Sequence, residues 1–172
     1  MVAILFSNNL LTGVKMDFEV FSQLMAQDAE WLARNSNINR PHIWISISGE
    51  DPAKLPSNEN RMGELFLQFD DVNESNYKSK STNIKECKLM TDEQANQIID
   101  FVISHLKSVE LICVNCNAGI SRSAGVASAL SLLTNEYGGI GNNKRFHPNS
   151  HVKSLVVRNG TRLHDLVYGK HD

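Results

Sequence analysis

The sequence has no long apolar run, little charge imbalance and few cysteines. A membrane-spanning helix needs about 18 or more consecutive apolar residues, and no segment of the 172-residue chain approaches that length. Lys and Arg number 17 against 19 Asp and Glu, which gives a formal net charge of −2. Such a chain has no basic field for capturing nucleic acid or an anionic membrane, so neither is an expected partner. Any anion must therefore be bound by a local arrangement of groups.

Cysteine and histidine are too sparse and too scattered to indicate a metal site. The three cysteines are Cys87, Cys113 and Cys116, an odd number without the spacing of zinc ligands. The closest histidines, His147 and His151, are separated by Pro148, which disfavours one helix carrying both. We therefore expect no metal, no other cofactor, and free thiols in a reducing compartment. The apolar run at 2–6 has no basic residues before it, so a secretory signal is not expected, and the cytoplasm is.

The length argues for a single domain over residues 1–172. Apolar and β-branched runs predict strands at 2–7, 42–48, 64–69 and 111–114. Helical periodicity predicts helices at 17–34 (capped by Asp17), 91–107 (with a Thr91–Gln94 capping box), 122–135 and from 149 onward, the last divided near 159–160. Strands that alternate with helices predict an α/β fold, with a central, mostly parallel sheet of about four to five strands flanked by helices.

Between the third strand and the next helix lies a polar stretch, 73–86, in which no periodicity holds. Loops of this length in compact domains are often functional. One hypothesis is an insertion beside a pocket mouth, and the alternative is a disordered surface excursion.

The segment 111–125 contains the candidate catalytic residues. It runs from an apolar strand through a short turn into a helix of small residues. Cys116 ends the strand and Arg122 begins the helix, with five residues between them. Such a loop can turn backbone N–H groups inward beside a helix N-terminus and bind an anion, and Arg122 adds a planar fork that matches phosphate oxygens. Gly119 permits the tight turn. In this setting the pKa of the Cys116 thiol should fall. The alternative is that Cys116 is a small buried core residue.

This segment resembles the signature loop of the cysteine-dependent protein tyrosine phosphatases: Cys, five residues, Arg, then Ser or Thr. Residues 116–123 are most similar to the compact dual-specificity phosphatases. The resemblance implies the protein tyrosine phosphatase fold, with Cys116 as nucleophile, Arg122 as phosphate ligand and Ser123 as hydrogen-bond donor to sulfur. It also implies that backbone N–H groups bind the phosphate oxygens, those of Asn117, Ala118, Gly119, Ile120, Ser121 and Arg122.

One position departs from the family, which usually has His immediately before the nucleophile. Here that residue is Asn115. In the family the His helps to order the loop and to tune the thiol. An asparagine at this position can still hydrogen-bond to the loop.

The family also places a general acid, an Asp, on the loop that follows the preceding strand. Asp70 and Asp71 occupy this place. Asp71 is favoured because the matching family residue is typically the second polar residue past the strand, and Asp70 is the alternative acid. A structural interpretation of the pair is a helix cap or a solvated turn.

The resemblance implies hydrolysis of a phosphorylated protein through a phosphocysteine intermediate, without metal. Phosphotyrosine is the expected substrate, and phosphoserine and phosphothreonine are further candidates. The loop contains no Lys or Arg before Arg122, which makes a phosphoinositide less expected. Two alternatives stay open. A phosphate-binding pseudophosphatase is supported by Asn115, and a rhodanese-like sulfurtransferase would not need the upstream Asp.

Overall fold

The structure is a computed structural model, which describes residues 15–51, 54–72, 87–134, 140 and 143–169. Within these residues the strands are β1 (Asp17–Ser22), β2 (His42–Ser48), β3 (Arg61–Gln68) and β4 (Leu111–Cys116). They form one sheet in the order β1-β4-β2-β3, and every pairing is parallel. The predicted α/β fold with a mostly parallel sheet is therefore confirmed, with four strands in the part of the chain that the structure describes.

Helices cover both faces of this sheet. They are α1 (Gln23–Gln27), α2 (Ala29–Arg34), α3 (Asp92–His105), α4 (Arg122–Thr134), α5 (Ser150–Asn159) and α6 (Thr161–Tyr168), with a 3₁₀ turn at Ser36–Asn39. Both halves of the Thr91–Gln94 capping box are formed at the start of α3. Gly160 separates α5 from α6, as the sequence predicts. In the described ranges no helix is long and apolar enough to cross a membrane.

The predicted helix over 17–34 is wrong in its first third. Residues Asp17–Ser22 form β1, which pairs along its whole length with β4. The apolar residues here satisfy two periods at once, because Phe18 and Val20 also alternate as strand residues do. Asp17 is therefore not a cap. Ser22 and Asp28 cap α1 and α2 instead. The predicted strand at 2–7 and the loop at 73–86 lie outside the described residues.

The alternating side chains of the strands divide the core between the two faces of the sheet. On one face Val114 and Cys116 of β4 pack into the cluster that includes α3, α4, α5 and α6. On the other face Cys113 packs with Trp44 and Phe21 beneath α1 and α2. Cys113 and Cys116 therefore face opposite sides of the sheet.

The order of the strands decides where a site can form. The chain builds β1, β2 and β3, and then returns to place β4 between β1 and β2. Because the four described strands run parallel, their carboxyl ends all lie at one edge of the sheet. Ligand sites in open α/β sheets form outside the carboxyl ends of the strands, at such a change in strand order.

Candidate active site

Cys116 is the last residue of the central strand β4, and its side chain is only 1% exposed. The loop 117–121 follows, and α4 begins at Arg122. The strand, turn and helix predicted for this segment are thus all present, and they place the sulfur beneath the loop. Ser123, in the first turn of α4, brings its Oγ to 3.0 Å from the Cys116 Sγ.

The backbone carbonyls of the loop are held by neighbouring segments outside the turn. The Asn117 carbonyl accepts from the Gln23 N–H at 3.2 Å, and the Ile120 carbonyl accepts from the His147 N–H at 3.0 Å. The Ser121 carbonyl accepts from the N–H groups of Gly125 at 2.8 Å and Asn149 at 3.1 Å. With its carbonyls engaged outside, the loop is free to direct N–H groups towards the sulfur, the arrangement that binds anions.

Gly119 is required at the tightest point of the loop. Its φ of 68° lies in the left-handed region that side chains rarely adopt. A Cβ here would also lie 2.5 Å from the Ser22 backbone nitrogen and 2.6 Å from the Phe21 carbonyl oxygen, closer than van der Waals contact permits. The end of β1 therefore presses against the loop, and only glycine fits between them.

The surroundings of the sulfur favour the thiolate. Burial of Cys116 opposes ionisation, but the Ser123 hydroxyl and the Ser123 backbone N–H both donate to the sulfur. The backbone N–H groups of Gly119 and Ile120 donate as well, and together these bonds lower the pKa of the thiol below its ordinary value. Cys113 is the opposite case, because burial without such donors raises the pKa of its thiol.

Ser123→Ala is expected to shift ionisation of the Cys116 thiol to higher pH. The substitution removes the side-chain donor that most strongly lowers the pKa of this thiol, while the backbone donors stay. The measurement is the rate of Cys116 alkylation by iodoacetamide against pH, followed on the Cys116 peptide by mass spectrometry. Ser128→Ala, a buried serine further along α4, is the control and should leave the profile unchanged. An identical profile for Ser123→Ala would contradict the role of the hydroxyl.

Arg122 has its guanidinium held in place beside the loop, with the residue only 7% exposed. Its Nη1 donates to the Phe69 carbonyl at 2.8 Å, and its Nη2 donates to the Asn117 Oδ1 at 2.8 Å. The buried Nε–H has no hydrogen-bond partner among the described residues. A buried, unpaired donor of a cation is costly, and an oxyanion would satisfy it.

A pocket of about 410 Å³ opens beside Arg122. Its lining residues are Gly49, Glu50, Asp70, Asp71, Lys88, Asn117 and Arg122. The pocket thus gathers Asn117, Arg122 and both acidic residues from beyond the ends of β2, β3 and β4, while Cys116 is not among its lining residues. In the described part of the chain, no three His, Cys, Asp or Glu side chains lie close enough to hold a metal ion.

Asp70 and Asp71 both line this pocket, but their hydrogen bonds differ. The Asp71 Oδ1 accepts from the Ser121 hydroxyl at 2.7 Å, so this carboxylate is attached directly to the loop. Asp70 is engaged with Lys88, whose backbone N–H donates to the Asp70 Oδ2 at 2.7 Å and whose carbonyl accepts from the Asp70 N–H at 2.7 Å. Asp70 therefore fastens the segment at Lys88, while Asp71 faces the loop.

Asn149 is a site residue that the sequence reasoning missed, since it was expected only to begin a helix. It does cap α5, with its Oδ1 accepting from the Val152 N–H at 3.1 Å. Its Nδ2, however, donates to the Asp71 Oδ1 at 3.0 Å, and its backbone N–H donates to the Ser121 carbonyl. One residue thus joins the loop to the acidic pair. The sequence signal for this role is the asparagine cap itself. An asparagine that caps a helix with its Oδ1 keeps its Nδ2 group as a donor for another partner.

The side chain of Asn115 makes no hydrogen bond to the loop among the described residues, although an asparagine can do so. Its side chain lies on the opposite face of β4 from Cys116, where its Oδ1 accepts from the Trp44 Nε1–H at 2.8 Å. Alternation along a strand explains this, since neighbouring residues point to opposite faces. Its Nδ2 group has no hydrogen-bond partner among the described residues. Asn115 therefore ties β4 to β2 beneath the nucleophile.

No family model and no curated protein matches this chain by sequence. Solved structures do match it, at low identity. DUSP15 is 18% identical, with 94% of this chain and 96% of that chain covered and a TM-score of 0.57. Human DUSP28 is 14% identical, with 87% and 95% covered and a TM-score of 0.54. The human tyrosine phosphatase-like serine/threonine/tyrosine-interacting protein is 17% identical, with 84% and 91% covered and a TM-score of 0.50. The chain therefore has the compact α/β fold of the dual-specificity phosphatases.

Proposed function

We propose that this protein is a phosphoprotein phosphatase that acts through a phosphocysteine formed on Cys116. The observation that carries the proposal is the state of the buried Cys116 thiol. Its pKa is lowered by donors from the loop and from Ser123. Beside the loop the buried Arg122 Nε–H has no partner among the described residues. A thiolate and an unsatisfied guanidinium at the two ends of one loop are suited to attack on a phosphate bound there.

In the first step the Cys116 thiolate attacks phosphorus, and the bond from phosphorus to the substrate oxygen breaks. The loop N–H groups and Arg122 stabilise the charge on the other phosphate oxygens. Asp71, in its protonated form, gives its proton to the leaving oxygen. We assign this role to Asp71 rather than Asp70 because Asp71 accepts the Ser121 hydroxyl of the loop, whereas Asp70 is bonded to Lys88.

In the second step water attacks the phosphorus and the bond to sulfur breaks. The Asp71 carboxylate takes a proton from this water and returns to its acid form, while the Cys116 thiolate is regenerated. Ser123 supports this step, because its hydroxyl lies 3.0 Å from the sulfur and stabilises negative charge on it. No redox change occurs, and the products are inorganic phosphate and the dephosphorylated hydroxyl.

The charges of the pocket support a substrate with a single phosphate. Three carboxylates, Glu50, Asp70 and Asp71, line it against two cations, Lys88 and Arg122. Once Arg122 is paired with the bound phosphate, further phosphate groups would face mainly carboxylates. This arrangement disfavours a headgroup with several phosphates and favours phosphotyrosine, phosphoserine or phosphothreonine in a protein.

A phosphate-binding pseudophosphatase is the second candidate. It is favoured by Asn115, whose side chain bonds to Trp44 on the far face of β4 and gives the loop none of the support expected from it. It is also compatible with the similarity to the tyrosine phosphatase-like interacting protein. We place the protein in the cytoplasm, because a thiolate nucleophile needs a reducing compartment.

The proposal is tested with the wild-type chain and three assays: hydrolysis of 4-nitrophenyl phosphate, hydrolysis of a phosphotyrosine peptide, and sulfur transfer from thiosulfate. We expect hydrolysis of both phosphate esters and no sulfur transfer. Vanadate binding without hydrolysis would instead identify the binding module. Sulfur transfer without hydrolysis would identify a rhodanese-like sulfurtransferase.

A further inference from the structure

The side chain of Asn117 contacts Arg122, in addition to the role proposed for the Asn117 backbone N–H group. Its Oδ1 accepts from the Arg122 Nη2 at 2.8 Å, although Asn117 is itself an exposed residue. Its own main chain is fixed, because its carbonyl accepts from the Gln23 N–H at the start of α1. The backbone of Asn117 is therefore anchored, and its amide oxygen reaches Arg122 from this anchored position.

The guanidinium of Arg122 has five N–H donors, and two of them have acceptors among the described residues. The Phe69 carbonyl takes a donor of Nη1, and the Asn117 Oδ1 takes one of the two donors of Nη2. The Nε–H has no partner among the described residues, and Nη2 keeps its second hydrogen. In general, Nε and Nη2 of a guanidinium can bind two oxygens of a phosphate side by side.

We propose that Asn117 is a positioning residue, which orients Arg122 so that its Nε–Nη2 edge is ready for the substrate phosphate. This inference rests on the proposed function. Acceptors on both terminal nitrogens, the Phe69 carbonyl at Nη1 and the Asn117 Oδ1 at Nη2, restrain the guanidinium before substrate arrives, which lowers the cost of ordering it. A neutral amide suits this role, since a carboxylate at the same place would add negative charge beside the phosphate.

Binding of inorganic phosphate to the Cys116→Ser protein, measured by calorimetry, tests the inference without turnover. Adding Asn117→Ala should weaken phosphate affinity by about fivefold, the equivalent of losing one hydrogen bond that contributes about 1 kcal/mol. The control is Asn96→Ala, the same change at an exposed asparagine of α3 whose side chain bonds to Asp92 and Asn159, and it should leave the affinity unchanged. Equal or tighter binding by the Asn117→Ala protein would overturn the inference.

A second readout separates positioning of Arg122 from collapse of the loop. In the chain that keeps Cys116, Asn117→Ala should leave the pH profile of Cys116 alkylation unchanged, because the donors to the sulfur come from other residues. A shift of that profile to higher pH would mean that the loop itself had been disturbed, and would overturn the inference. If the Cys116→Ser parent binds no phosphate at all, the proposed function fails first and the inference falls with it.

Discussion

Cys116→Ser is expected to reduce hydrolysis of 4-nitrophenyl phosphate by on the order of 10⁴-fold or more, as replacing a covalent nucleophile typically does. A serine hydroxyl stays protonated near neutral pH, and the side-chain partner of this position among the described residues is the Ser123 hydroxyl, which is not a base. The hydrogen bonds that lower the pKa of the Cys116 thiol act on an atom that the variant lacks. The measurement is kcat/KM with the wild type and the variant at the same pH.

Cys113→Ala is the matched control, because it alters the other buried cysteine of β4. Its side chain packs on the opposite face of the sheet, beneath α1 and α2. We expect activity to stay close to wild type, together with a small loss of stability from the removed sulfur. Thermal unfolding of both variants checks that they fold. If Cys116→Ser retained a tenth of the wild-type rate while folded, a phosphocysteine pathway would be ruled out.

The local part of the site could be predicted because neighbouring residues encode it. The strand, the turn with Gly119 and the helix that begins at Arg122 are contiguous, and the anion-binding properties of the loop follow from that order. The structure adds a reason why the turn needs its glycine, namely the backbone of β1 pressed against it. That contact joins distant segments and has no local signature.

The contacts that join distant segments of the site could not be predicted, because they have no local signature in the sequence. Asn149 reaches Asp71 across 78 positions of sequence, and nothing near Asn149 indicates which carboxylate its amide meets. The bond between Trp44 and Asn115 spans 71 positions and depends on the pairing of β2 with β4. The sequence of β1 is compatible with both the helical and the strand period. Because only its pairing with β4 decides between them, the prediction of a helix there was wrong.

These long-range contacts connect Asp71 to the loop and give its carboxyl group a defined place. Ser121 and Asn149 both donate to its Oδ1, at 2.7 Å and 3.0 Å. Ser121 belongs to the loop, and Asn149 is bonded to the loop through the Ser121 carbonyl. The carboxyl group is therefore oriented through its Oδ1 from the loop side, as the proposed general-acid role requires.

Asp71→Asn is expected to lower kcat for a phosphotyrosine peptide by about 10²–10⁴-fold, the contribution of a positioned general acid. The asparagine oxygen can still accept from Ser121 and Asn149, so the loop should keep its structure. The loss should be smaller for 4-nitrophenyl phosphate, because nitrophenolate leaves without protonation more readily than the tyrosine phenolate does. Asp70→Asn is the matched control, since its oxygen can still accept from the Lys88 N–H, and it should retain most of the activity. If Asp70→Asn showed the large, leaving-group-dependent loss and Asp71→Asn did not, the acid would be Asp70.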